Sequence, residues 1–310
     1  MELLSSYING NHNVNLYSDG TKIKQTLYPQ DEYFTYNFPE NFDLKINDKC
    51  TGGCAYCHEN STPKGNVPSL IELVDSKLYQ SLHSGTEIAI GGGNLFESTD
   101  IENFLRANKE KGLISNITVN QKHLDENKKT IISWIKDKLV HGVGISLTDS
   151  ASLNVDGIGN NVVIHVINGI LEPKDLPALK NKKVLILGYK HIRKGIEFYS
   201  DKVKVNQKWL KDNLKDLVKN WRITSFDCLA IEQLNPKETL GISDEEYNEL
   251  FQGDDYNVRD DEGNITCGTM YIDLPNLQVG RSSTAPIETR QVFNYNETIE
   301  ELFKKSIIGW

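Results

Sequence analysis

Six short apolar runs recur between residues 42 and 188, and most are separated by helical patterns. This alternation constrains the fold more than any other feature of the chain. The runs cover residues 42–46, 87–91, 117–120, 143–147, 162–167 and 184–188. Between them, apolar residues return at helical spacing, as at Leu70, Leu73, Val74, Leu78 and Leu82. Ser69-x-x-Glu72 and Thr99-x-x-Glu102 are capping boxes that mark helix starts. Further helices are expected at 124–139 and 173–180. Short, nearly continuous apolar strands alternating with helices predict an α/β fold with a parallel sheet and helices outside it.

The second constraint is chemical. Cys50, Cys54 and Cys57 lie within eight residues, spaced C-x3-C-x2-C, directly after the first strand. Three soft thiolates suit an iron–sulfur cluster or zinc. An iron–sulfur cubane ordinarily takes four cysteines, so three leave one iron open to a small molecule. An open coordination position is the mark of a reactive metal site. A structural Cys3His zinc site that also uses His58 stays open on these residues, although no second knuckle is present.

The motif, with Tyr56 in its aromatic place, resembles the signature of the radical S-adenosylmethionine (SAM) superfamily. The resemblance implies a [4Fe-4S] cluster on Cys50, Cys54 and Cys57, with SAM chelating the fourth iron. It implies reductive cleavage of SAM to methionine and a 5′-deoxyadenosyl radical that abstracts hydrogen from a substrate. It also implies a reducing partner such as a flavodoxin or ferredoxin. The fold it implies is a partial (β/α)6 TIM-like barrel over residues 42–200. Residues 1–41 would then be an N-terminal β extension, and residues 201–310 a C-terminal α+β cap that covers the substrate.

In parallel α/β folds ligands sit at the carboxyl ends of the strands. The second strand ends in Gly91-Gly92-Gly93-Asn94, where glycines let a ligand meet the backbone directly. Radical SAM proteins carry Gly-Gly-Glu at this place, so the resemblance implies a contact to the methionine end of SAM. This chain departs from the pattern at Asn94. By the same strand-end reasoning Ser146, Thr148, Asn168 and Lys190 are candidates, with Tyr56 near adenine. Ser146 and Thr148 would equally serve as helix caps, and His165 reads as a core histidine.

The C-terminal third is expected to hold a helix at 205–221 and a strand at 224–231. A helix follows Ser243, then an acidic loop at 254–263. A hairpin at 267–281 and a last helix at 297–308 complete it. The strand could add beside the sixth and bring Asp227, Cys228 or Glu232 to the site. Cys228 or Tyr271 would return a hydrogen atom to a substrate radical. The hairpin is similar to the start of SPASM-type domains, but Cys228 and Cys267 are too few for a four-cysteine auxiliary cluster.

The chain has 43 acidic and 34 basic residues, a net charge of −9, and no long basic run. That disfavours a protein held mainly by nucleic-acid phosphates. A peptide or protein side chain is the preferred substrate class, with nucleotide modification the alternative. The five cysteines form no disulfide framework, and no apolar run is long enough for a membrane span. A cytoplasmic protein is expected.

Overall fold

The structure is a computed structural model and describes residues 2–31, 33–251 and 263–308. The expected acidic loop therefore lies outside the described residues over 254–262.

The chain opens with a three-stranded antiparallel sheet of β1 (Leu3–Asn9), β2 (His12–Tyr17) and β3 (Lys22–Thr26). The β2–β3 hairpin matches its Asp19-Gly20 turn signal. The sequence does not mark β1, because Ser5 and Ser6 interrupt any alternation. This small sheet is tied to the rest through buried polar groups. Asn9 donates to the Phe38 carbonyl at 2.9 Å, and His12 Nε2 lies 2.6 Å from Glu40 Oε1. Lys22 pairs with Glu87 at 2.6 Å.

The main sheet holds β4 (Asn41–Asn47), β5 (Glu87–Gly92), β6 (Ile114–Asn120), β7 (Gly142–Ser146), β8 (Val162–Ile167) and β9 (Lys183–Leu187). All six pair parallel in chain order, as the alternation predicts. Their inward apolar residues, among them Ile46, Ile88, Ile90, Ile145 and Val184, are fully buried. Each such side chain contributes roughly 1.5–3 kcal/mol, so the strands are held chiefly by these faces.

The C-terminal third is built into this sheet at both edges. β10 (Ile223–Phe226) pairs parallel with β9, and β11 (Thr269–Asp273) pairs parallel with β4. β12 (Gln278–Gly280) and β13 (Gln291–Val292) then extend the β11 edge antiparallel. The sheet thus has eight parallel strands rather than six, in the order β10-β9-β8-β7-β6-β5-β4-β11-β12-β13.

Three boundaries differ from the sequence pattern. The expected strand 224–231 stops at Phe226. Asp227 then caps the helix Cys228–Leu234 by accepting from the Ala230 amide at 2.7 Å. A short apolar run such as Leu229-Ala-Ile231 does not distinguish strand from helix by period; the capping Asp does. The helix expected at 124–139 runs Gln121–Lys136, because Asn120 caps it. The helix expected at 205–221 runs Asp201–Leu217. No helix among the described residues is long and apolar enough to cross a membrane.

Candidate active site

One cavity of about 940 Å³ is lined by residues from all eight parallel strands. Small-molecule sites usually measure about 300–1,000 Å³, so this one has room for a nucleoside-sized cofactor and part of a second molecule. Tyr17–Gly20 of the N-terminal hairpin line it too, near residues from the strand starts such as Glu87 and Gly142.

Cys50, Cys54 and Cys57 stand on the loop after β4, and all three line the cavity. Each is partly buried. Two backbone ties shape this loop: the Cys57 amide donates to the Cys54 carbonyl and the Cys50 amide to Thr62. Two of the three sulfurs have polar neighbours within hydrogen-bond reach. The Gly52 amide lies 3.2 Å from Cys50 Sγ, Asn120 Nδ2 lies 3.5 Å from Cys54 Sγ, and His123 Nε2 lies 3.8 Å from Cys50 Sγ. Burial raises the Cys54 thiol, and the neighbouring Cys57 and Cys50 raise it further. Three thiols on one loop, with amide donors to Cys50 and Cys54, have the donor chemistry of a cluster site, whose sulfurs ordinarily accept such bonds.

Among the described residues no group of three or more His, Cys, Asp or Glu side chains converges as ligands of a single metal ion. His58, the fourth ligand of the zinc alternative, instead directs Nε2 to Glu59 Oε1 at 3.0 Å.

The glycines after β5 divide into two kinds. A Cβ on Gly91 would meet nothing within 4 Å, so this backbone faces open cavity. Gly92 has φ +120°, and a Cβ there would come within 2.6 Å of the Asn47 carbonyl oxygen; one on Gly93 would lie 2.4 Å from the Lys49 carbonyl oxygen. Both are glycine because the β4 backbone passes against them.

The remaining candidates separate in the same way. Tyr56, Ser146, Thr148, His165, Ile167, Lys190, Asp227 and Tyr271 line the cavity. Asn94 does not: it is buried, and its Oδ1 accepts from the Phe96 amide at 3.2 Å as the cap of a short turn. Asn168 is also buried away from the lining, donating to Gln233 at 3.0 Å. Cys228 is exposed at a helix start, Glu232 is exposed, and neither lines the cavity. Cys267 is buried core. Tyr271, by contrast, is 3% exposed, and its hydroxyl has no hydrogen-bond partner among the described residues.

The Asn94 geometry makes a prediction. Asn94→Ala removes a cap, which costs about 0.5–2 kcal/mol, and leaves SAM affinity within about twofold, because a lost direct contact to a charged group would cost tenfold or more. Urea unfolding and equilibrium SAM binding check the two halves.

His165 presses against Gly144, where a Cβ would lie 2.3 Å from its ring. Burial pushes its imidazole down to about 4. The unfolded chain protonates near 6.5. This residue's contribution to stability is therefore intact above pH 6.5 and lost as pH falls toward 4. The shift is equivalent to at most about 3 kcal/mol, at 1.36 kcal/mol per pH unit. Urea midpoints between pH 7.5 and 5 should fall less steeply in His165→Leu than in the parent.

A buried charge network beside the cysteines was not visible in sequence. Lys45 on β4 is 3% exposed and faces three carboxylates: Asp48 at 2.5 Å, Glu59 at 3.2 Å and Asp273 at 3.4 Å. Arg290 pairs with Asp273 at 3.5 Å, and Arg193 with Glu59 at 3.7 Å. Burial alone would raise the Glu59 carboxyl, but the His58 hydrogen bond and the Lys45 charge outweigh it and hold it low. Arg193 also donates to the His58 carbonyl at 2.9 Å, from a backbone at φ +52°. A non-glycine residue there carries strain of order 1–3 kcal/mol and persists only where surrounding contacts fix it.

No protein-family model matches the chain, and no curated protein matches it. Known structures do match. Streptococcus suis SuiB bound to S-adenosylmethionine aligns with a TM-score of 0.53 at 14% identity, over 83% of this chain and 64% of that one. SuiB bound to its precursor peptide SuiA aligns at 0.48 and 16% identity, over 79% and 60%. Methylornithine synthase (PylB) aligns at 0.41 and 13% identity, over 66% and 70%. The chain thus spans less than two thirds of SuiB's length in these alignments. The match to SAM-bound SuiB shows a shared fold.

Proposed function

We propose that the protein is a radical SAM enzyme, with its eight parallel strands forming a partial TIM-like barrel around the cofactor. The observation that carries this reading is a juxtaposition. The three-cysteine loop after β4 and the bare Gly91 backbone near the end of β5 open into the same cavity. Cys50, Cys54 and Cys57 would hold a [4Fe-4S] cluster, which with bound SAM supplies an electron and a 5′-deoxyadenosyl radical for hydrogen abstraction.

The chain's own residues do the rest. Asn120 and the Gly52 amide donate to thiolate sulfur and stabilise its charge. Gly91 offers backbone to the SAM methionine group without a side chain in the way. Tyr56, partly buried with its ring 5.5 Å from Phe198, supplies an aromatic face for adenine, and Ser146 a hydroxyl for ribose. The outermost parallel strands, β10 and β11, bring Asp227 and Tyr271 to the lining, so the C-terminal third helps exclude water from a reactive intermediate.

A peptide or protein side chain is the substrate class we favour. Seven acidic side chains line the cavity against four lysines. A lining of that sign repels a polyphosphate chain. A flavodoxin or ferredoxin would deliver the electron.

Gly91→Val tests the placement of SAM. The side chain enters open cavity, so the fold should tolerate it and iron content should stay at the parental level. SAM affinity should fall at least tenfold, as loss of contact to a charged group implies. Unchanged SAM binding in a folded, iron-loaded Gly91→Val protein would place SAM elsewhere.

A further inference from the structure

Four cationic side chains and three carboxylates meet between the cysteine loop and the C-terminal hairpin. Lys45, Arg193 and Arg290 each have a carboxylate within 4 Å. Lys190, at the end of β9, has none among the described residues. Its Nζ donates to Ser283 Oγ at 2.9 Å, and it lines the cavity. Among the described residues Lys190 thus has no close counter-ion of its own, and its charge reaches Glu59 only at longer range.

A second observation points to the same place. Ser283 also accepts, through its carbonyl, from Arg290 Nη2 at 2.9 Å. The Arg290 guanidinium stands 4.9 Å from the centre of the Tyr271 ring. Lys190, Ser283, Arg290 and Tyr271 thus form a contiguous chain from the loop after β9 to β11. Within it, the Tyr271 hydroxyl is buried in the cavity wall with no partner among the described residues. A buried hydroxyl without a partner costs free energy unless something that arrives satisfies it.

We propose that Lys190, Ser283 and Tyr271 form a subsite for a carboxylate of the substrate, a deepening that rests on the radical SAM reading above. One ammonium with two hydroxyls balances a singly charged carboxylate. A phosphate dianion would leave a charge uncompensated among neighbouring acids. The cavity's acidic lining repels an anion everywhere else, so the subsite fixes orientation as well as affinity. A peptide carrying Asp, Glu or a free C-terminus would be drawn to the seam where the C-terminal hairpin meets β9, above the cysteine loop that Arg193 anchors.

The test compares two probes on the full-length, anaerobically reconstituted protein with SAM bound. These are N-acetyl-L-glutamate α-amide and the uncharged N-acetyl-L-glutamine α-amide, with inorganic phosphate as a third arm. The glutamate probe should bind about tenfold or more tightly than the glutamine probe. Lys190→Met should erase that preference, Lys190→Arg should keep it within about threefold, and Tyr271→Phe should weaken it roughly threefold to tenfold. Cluster absorption and SAM affinity, read in the same samples, should be parental in Lys190→Met, which separates failure of this subsite from failure of the cofactor reading. Equal binding of the two probes to the parent would overturn the proposal. So would phosphate binding tighter than the glutamate probe, which would make it a phosphate site. A tenfold loss of SAM affinity in Lys190→Met would also overturn it, by assigning the lysine to the cofactor carboxylate.

Discussion

Cys54→Ala is expected to abolish iron retention and, with it, SAM cleavage. Cys54 is the middle thiol of the loop, with Asn120 directed at its sulfur at 3.5 Å. Two thiolates do not hold a cubane that ordinarily needs four ligands. The reconstituted parent should carry about four irons per chain, and the variant close to none. The loss should be chemical rather than a failure to fold, because Cys54 is only partly buried and lies on a loop outside the core. Circular dichroism and the urea midpoint of the cluster-free chains should therefore coincide. Iron content and turnover equal to the parent's would show that the motif is not a cluster site.

Lys45→Met should have the largest effect on stability of any single change near the site. The side chain is buried among Asp48, Glu59 and Asp273, with only two guanidiniums left to compensate three carboxylates once it is gone. Removing one partner of a buried charge group costs about 3–5 kcal/mol, because the remaining charges stay desolvated. The double variant Lys45→Met/Asp273→Asn should recover part of that loss, since it removes one of the stranded charges. Urea unfolding of the cluster-free protein measures both. A loss below about 1 kcal/mol in Lys45→Met would mean that the network is solvated and contributes little, as surface pairs do.

The parts of this arrangement legible in sequence are those written locally. Strands β4 to β9 follow from apolar runs, the three-thiol loop from the cysteine spacing, and the bare backbone at Gly91 from a glycine run at a strand end. What escaped depends on distance along the chain. Lys45 and Asp273 are 228 residues apart, and no local pattern announces that β11 will lie beside β4. Asn94 was misleading because its position in the motif suggests a ligand contact, while the same short side chain is an efficient cap, and the cap is what the backbone uses. Asn120 was the reverse. It ends a strand, which sequence suggests; it also caps the next helix and directs its amide nitrogen at Cys54, neither of which sequence showed. Cys228 was drawn toward the site by extending its strand too far; the Asp227 cap starts a helix there and leaves the cysteine exposed.

The most direct test of the central claim is anaerobic reconstitution of the parent protein with iron and sulfide, followed by reduction with dithionite in the presence of SAM. The expected result is brown protein with about four irons per chain, yielding 5′-deoxyadenosine and methionine in equal amounts. Colourless protein that binds a single zinc and leaves SAM intact would contradict it.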